Sequence, residues 1–349
     1  MAKENYDRTP EECKAIADKW KRDELIKSGV LKPASQIDPQ YYDDKTKERL
    51  KKLVGNVYQD IRQFLSNYVD MREQDYDLIT LWIIGTYIHD EFETFPYLFI
   101  NAMRGSGKSR LLKIIKELSK DGVLNTSMRE SVLFRMGKKT LCIDEFEGVG
   151  GKDAQALREV LNASYKKGMQ ISRMKKVRSA LGEGYEQEDF EPYKPIAMAN
   201  IWGMEEVLGD RCVTIILEKS GDNRRTRLSE DFSDNPVISC IKAQLNGLLV
   251  YMCSYFGVEG IWNRWNNYIN DRYNYTTTYY TYNTYTTQTT HTKLTTKAQT
   301  TENKLHNLEI LEMFNKIHDT NINGRNLELM MPFILISKMI SPEIFEKVL

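Results

Sequence analysis

Between Lys45 and Val69, apolar residues recur at Leu50, Leu53, Val54, Val57, Ile61, Phe64, Leu65 and Val69. Intervals of three and four residues bring these side chains onto one stripe, so the segment is expected to be an amphipathic helix. A second helix is expected from Asp75 to His89, and a short one from Pro10 to Lys27, ahead of a polar connector with Pro33 and Pro39. The period then changes. Pro96-Tyr-Leu-Phe-Ile-Asn is a short, nearly continuous apolar run that leads into a glycine-containing loop, and Arg110-Leu-Leu-Lys-Ile-Ile-Lys-Glu-Leu after the loop has helical spacing again.

Three further runs read as buried strands: Thr140-Leu-Cys-Ile-Asp, Ile196-Ala-Met-Ala-Asn and Cys212-Val-Thr-Ile-Ile-Leu. Helical stretches such as Asp153 to Lys167 fall between them. Strands that alternate with helices predict an α/β fold with a parallel sheet covered on both faces. Helix returns from Asn235 to Tyr255, Asn303 to His318 and Leu327 to Met339. No closing element is expected between Met339 and Leu349, as in a truncated chain. Residues 273–301 are mostly Thr and Tyr, offer little aliphatic surface to bury beyond Leu294, and are expected to form a disordered or extended linker.

Composition narrows the setting. The 349 residues balance 49 Lys and Arg against 49 Asp and Glu, so no global charge draws the chain to nucleic acid or membrane. Any such contact must come from a local patch. The five cysteines are scattered without a C-x-x-C pair, and Cys142 and Cys212 lie in strand-like runs, which suits buried free thiols in a reducing compartment. The longest apolar stretch, Leu78 to Ile88, is about half of the ~20 residues that a membrane span needs. The N-terminal residues lack the blocks of a signal peptide, so the chain is expected to be cytoplasmic, with no membrane partner.

The loop is Ala102-Met-Arg-Gly-Ser-Gly-Lys-Ser109. It matches the phosphate-loop pattern G-x-x-x-x-G-K-[ST] except for Ala102 at the first glycine. Gly105, Ser106 and Gly107 let successive backbone N–H groups converge on phosphate oxygens, at the positive end of the following helix. Lys108 would reach the outer phosphates and the Ser109 hydroxyl would ligate magnesium. The expected ligands are therefore ATP and Mg2+. The strand ending in Asp144-Glu145 supplies a carboxylate for the metal, assigned to Asp144, and one for the attacking water, assigned to Glu145. Asn200, at the tip of another strand, is expected to hold that water or the outer phosphate. Arg211, before the last strand, is expected to reach a neighbouring subunit's nucleotide.

Phosphate loop, Asp-Glu strand, polar strand tip and Asp-Arg come in the order of the AAA+ ATPase module. The run from Trp82 to Ser220 resembles more narrowly an AAA+ family of phage and plasmid replication proteins, often found beside primases. The matching phrases are Pro96-Tyr-Leu, Gly107-Lys-Ser-Arg-Leu-Leu, Ile143-Asp-Glu, Pro195-Ile-Ala-Met-Ala and Gly209-Asp-Arg-Cys-Val-Thr-Ile, with a weaker match at Gly324-Arg-Asn-Leu-Glu328. The resemblance implies a P-loop NTPase of AAA+ type with N-terminal helices (1–70), an ATPase core (71–220), a helical lid in two parts (221–272 and 302–349) and the linker between them. It implies that Lys108, Ser109, Asp144, Glu145 and Asn200 line one nucleotide, and that Arg211 acts across a ring interface, a hexamer by analogy. Arg325 would be a second sensor arginine contributed by the lid, a role for which Arg224, Arg225 and Arg227 compete.

Between the Asp153–Lys167 helix and the Asn200 strand, Gln170 to Arg178 and an acidic stretch after Gly182-Glu-Gly184 suggest a β-hairpin. The resemblance to ring helicases implies that Lys175, Lys176 and Arg178 on its first arm grip phosphates of single-stranded DNA in the ring's pore. The expected function is a replicative helicase-like motor, with a primase or other replication protein as partner. The alternatives are an ATP-switched assembly factor without unwinding and a protein-remodelling ATPase, for which Tyr185 and Phe190 are the pore-loop candidates.

Overall fold

The computed structural model describes residues 44–126, 128–146, 155–179, 182–256, 264–270 and 301–349, with positions 9, 11, 12 and 15 near the N terminus. Most of the expected Pro10–Lys27 helix, and the Thr/Tyr-rich run through residue 300, lie outside the described residues. At the start of that expected helix, Thr9 and Glu12 exchange side chain-to-backbone hydrogen bonds (2.8 and 3.2 Å), a capping box.

The first helical stripe becomes α1 (Asp44–Tyr68), and α2 spans Glu73–Thr86, followed by a 3₁₀ turn at His89–Glu91. Strand β1 (Tyr97–Ala102) leads through the glycine loop into α3 (Lys108–Leu118). Next come β2 (Val123–Asn125), α4 (Glu130–Arg135), β3 (Leu141–Ile143) and α5 (Gln155–Ser164). The hairpin arms are β4 (Ile171–Ser179) and β5 (Gly182–Phe190), and β6 (Ile196–Asn200) returns the chain to the sheet. The short α6 (Glu206–Gly209) precedes β7 (Cys212–Leu217), and α7 (Asn223–Thr226) and α8 (Pro236–Phe256) follow. Residues 264–270 form α9, then α10 (Thr301–His318), α11 (Gly324–Ile340) and α12 (Pro342–Val348) close the described chain.

Five strands form one parallel sheet in the order β2-β3-β6-β1-β7, and β4 and β5 form a separate antiparallel pair. Side chains alternate across a strand, so each strand feeds two interiors. Leu98, Ile100, Cys142, Ala197, Ala199, Ile215 and Leu217 face the larger one, where α1, α2, α3, α8, α10 and α11 pack. The small Ala197 and Ala199 leave room for α3, which packs on β6. Tyr97, Phe99, Leu141, Ile143, Ile196 and Met198 face the smaller interior under α4 and α5. On that face the edge strand β7 is open, with Ile216 exposed.

The buried part of the α1 stripe (Val54, Val57, Ile61, Phe64 and Leu65) packs in the larger interior. So does Trp82 of α2, which is fully buried and donates its indole N–H to the Pro96 carbonyl at 2.8 Å. Helices that the sequence divides between an N-terminal region and a lid thus share one apolar interior with α3.

Two short elements, β2 and α4, escape sequence reading because three and six residues are too few to display a period. The expected lack of a closing element is corrected. Ser341 caps α12 by accepting the Ile344 N–H (3.2 Å), Pro342 occupies its first turn, and Ile344 and Phe345 are buried. Among the described residues, no helix is long and apolar enough to cross a membrane. The Cys142 thiol is buried and Cys212 half-buried. Burial pushes both thiols up, Cys212 to about 12, so neither is poised as a thiolate.

Lys194, just before β6, is fully buried, and its ammonium donates to the Leu133 carbonyl at 2.6 Å. Desolvation lowers its pKa from 10.5 to about 8. Between those values the unfolded chain binds the proton that the folded chain has released, so this group makes stability rise with pH. Urea midpoints of the wild type and Lys194→Met, measured from pH 7 to 10.5, should differ by an amount that changes across this window. A constant difference would mean that Lys194 is not buried as a charge.

Candidate functional site

Ala102 ends β1 as an ordinary strand residue paired with Leu217, so the first motif position needs no glycine here. The loop then turns on Gly105 (φ 81°) and Gly107 (φ 92°), both in the left-handed region that glycine enters without steric cost. Between them Ser106 is buried and closes the turn, its backbone N–H and hydroxyl both donating to the Met103 carbonyl (3.2 and 2.7 Å). Left-handed glycines beside a helix start can aim neighbouring N–H groups into one concavity, but the Ser106 N–H, expected to face phosphate, is committed to Met103 instead. The cradle opens at the first turn of α3, where the helix has unsatisfied N–H donors.

The acid strand β3 is separated from β1 by β6, a span of ~10 Å at the usual strand spacing. The first turn of α3 bridges it. The Ser109 hydroxyl donates to Asp144 Oδ2 at 2.6 Å, and Lys108 Nζ lies 3.4 Å from Asp144 Oδ1. The structure thus brings Gly105, Ser106, Gly107, Lys108, Ser109 and Asp144 together at the C-terminal mouth of the sheet. A hydroxyl and a carboxylate side by side are hard oxygen donors of the kind magnesium takes. A glycine-built anion cradle beside a lysine suits a polyphosphate. The donor set therefore fits both expected ligands.

Glu145 follows on the same strand end. It is exposed and has φ 55°, and its N–H is fixed by Asp144 Oδ1 at 3.0 Å. A left-handed glutamate costs on the order of 1–3 kcal/mol and persists only where its surroundings hold it. Part of that hold comes from Asn200. Its buried amide donates to the carbonyls of Phe146 (3.2 Å) and Gly203 (2.7 Å) and accepts the Gly203 N–H (3.0 Å). The Phe146 N–H also donates to the Ala199 carbonyl at 2.9 Å. Asn200 was expected to face water or phosphate. Here both amide N–H donors are committed to the backbone, and the residue ties Phe146, next to Glu145, to the tip of β6.

Arg211 lies at the other end of the sheet. Its carbonyl accepts the Tyr97 N–H at the start of β1, so the length of β1, ~20 Å at ~3.3 Å per residue, separates it from the loop. Its guanidinium sits 5.1 Å over the Tyr165 ring and donates to the Val207 carbonyl. Arg325 sits 5.1 Å over the same ring. The expectation that Arg325 lines its own chain's nucleotide is corrected. The N terminus of α11 docks at the base of the sheet, where Thr94 donates to the Glu328 carbonyl (2.8 Å). Of the competing arginines, Arg225 is held by Asp70 (2.8 Å).

Hairpin pairing sets acidic positions across from the basic arm. The register sets Arg173 opposite Glu188, Lys175 opposite Glu186 and Arg178 opposite Glu183. Directly opposed residues share a face, so acidic positions lie across from these basic ones. Lys176 is opposite Tyr185 instead. At the base, one face packs on the body through Phe190, whose ring lies 4.6 Å from Phe134, with Arg173 over Phe134 at 5.4 Å. The other face carries Met174 and Tyr185, 64% and 69% exposed and diagonal to one another. Sequence reading names Tyr185 as a pore-loop candidate but not Met174 beside it, because only the register brings the two onto one face.

No protein-family model matches the chain, and no curated protein matches it. Among solved structures it is similar to a JC virus helicase bound to a thiazolopyridine-phenoxyphenyl acetamide, with 14% identity and a TM-score of 0.32. That similarity covers 69% of this chain and 64% of the viral one, so the chain spans less than two thirds of the length of that neighbour.

Proposed function

We propose that the chain binds ATP with Mg2+ at the mouth of the sheet and hydrolyses it as a motor of AAA+ type. Its working form would be a closed ring, a hexamer by analogy, acting on single-stranded DNA. The observation that carries this reading is the meeting of Lys108, Ser109 and Asp144 beside the glycine cradle.

In this reading the cradle's N–H groups and Lys108 hold the outer phosphates, and Ser109 and Asp144 hold the metal. Bound there, Mg2+ would neutralise charge on the transferring phosphoryl group. Glu145 orients the attacking water and takes its proton, and Asn200 keeps the Glu145 loop in place. Arg211 and Arg325 lie too far from their own cradle to serve it. A head-to-tail neighbour would receive them together, on Tyr165.

Pore contact with DNA then rests less on charge than on the exposed face of the hairpin. Tyr185 offers a ring on which a base can stack, flanked by Met174 and Lys176. The neutral hairpin also favours a second reading, an ATP-driven assembly switch that grips no nucleic acid.

Lys108→Ala should abolish nucleotide binding measured by calorimetry. Glu145→Gln should keep binding while kcat falls by about 100-fold or more, the usual scale for a lost general base. Nucleotide binding that survives Lys108→Ala would sink the site.

If the motor reading holds, single-stranded DNA raises the ATPase rate, and Tyr185→Ala weakens DNA binding about tenfold, as loss of one stacked base does. An unchanged rate with any DNA or RNA would leave the switch.

Mixing Arg211→Ala subunits with Glu145→Gln subunits should recover part of the ATPase activity that each lacks. Inert mixtures at every ratio would count against a shared site.

A further inference from the structure

The phosphate cradle has a second lysine beside it that motif reading does not reach. β7 runs parallel to β1, and the last paired residues are Ala102 and Leu217, so both strands leave the sheet at the same end. The residues after Leu217 therefore run alongside the phosphate loop. A Cβ built on Gly105 would lie 3.6 Å from the Lys219 Cε, which places the end of that side chain against the cradle. The backbone there is fixed on both sides. Leu217 is locked in the sheet, and the Ser220 hydroxyl donates to Asp70 at 2.8 Å while accepting the Asp222 N–H at 3.0 Å. Asp70 in turn holds Arg225.

Charge makes the position consequential. Lys108 is already 3.4 Å from Asp144, so that carboxylate offsets part of its charge. A polyphosphate entering the cradle brings several negative charges. Lys219 is exposed, and no carboxylate among the described residues forms an ion pair with it. Its flexible four-carbon stem can swing the ammonium across the mouth.

We propose that Lys219 is a second phosphate-binding residue, acting in cis beside Lys108 and favouring the triphosphate over the diphosphate. This rests on the nucleotide-binding reading given above.

The test is the affinity of the full chain for a fluorescent ATP analogue and the matching ADP analogue, at low and high salt. Wild type, Lys108→Ala, Lys219→Ala and Lys219→Arg would be compared. Lys219→Ala should weaken the ATP analogue about tenfold, equivalent to ~1.4 kcal/mol, and the ADP analogue less. Its salt dependence should become shallower, while Lys219→Arg stays near wild type and thermal midpoints stay level. A lysine that merely covered Gly105 with its stem would leave the ATP-to-ADP affinity ratio unchanged. Wild-type affinities in Lys219→Ala for both analogues, with binding lost in Lys108→Ala, would overturn the role of Lys219 alone. If the wild type binds neither analogue, the nucleotide site itself fails.

Discussion

A short hydrogen bond from Ser109 to Asp144, with Lys108 beside the same carboxylate, joins the two halves of the site. It connects the helix that follows β1 to the strand two places away in the sheet, across β6. Its geometry depends on α3 lying close over β6, and that closeness depends on Ala197 and Ala199 on the face that α3 covers. Larger side chains there would lift the helix and open the gap between the hydroxyl and the carboxylate.

The larger interior then holds α3 from behind. Arg110, two positions after Lys108, donates to the carbonyls of Arg225 (2.6 Å) and Leu228 (3.1 Å) and reaches that of Tyr68 at 3.4 Å. One guanidinium thus ties the cradle helix to the end of α1 and to the segment leaving β7. The same segment carries Lys219 to the cradle. The mouth is therefore held by parts of the chain that are far apart in sequence. Tyr165 organises the opposite end in a comparable way, gathering Arg211 and Arg325 about the length of β1 away from the loop.

The hairpin illustrates how register reassigns chemistry. Read along one arm, Arg173, Lys175, Lys176 and Arg178 form a basic run. Read across the pair, Arg173, Lys175 and Arg178 are opposite Glu188, Glu186 and Glu183, while Lys176 is opposite Tyr185. What remains distinctive is an exposed Met and Tyr on the face turned away from Phe134.

The sequence alone determined the elements whose pattern is local. The β1, β6 and β7 runs, the α1 stripe and the glycine loop all emerge from apolar periodicity or from residue types that a tight turn requires. The cluster of Lys108, Ser109 and Asp144 was legible for the same reason, because the loop and strand tip each carry their own signal. Tertiary structure decided whatever depends on which segments become neighbours: the order β2-β3-β6-β1-β7, the inward commitment of Asn200, the place of Arg325 on Tyr165, the register of the hairpin and the approach of Lys219 to the cradle. A side chain's chemistry is written in its type, but its partners are set by packing between distant segments, which no window along the chain contains.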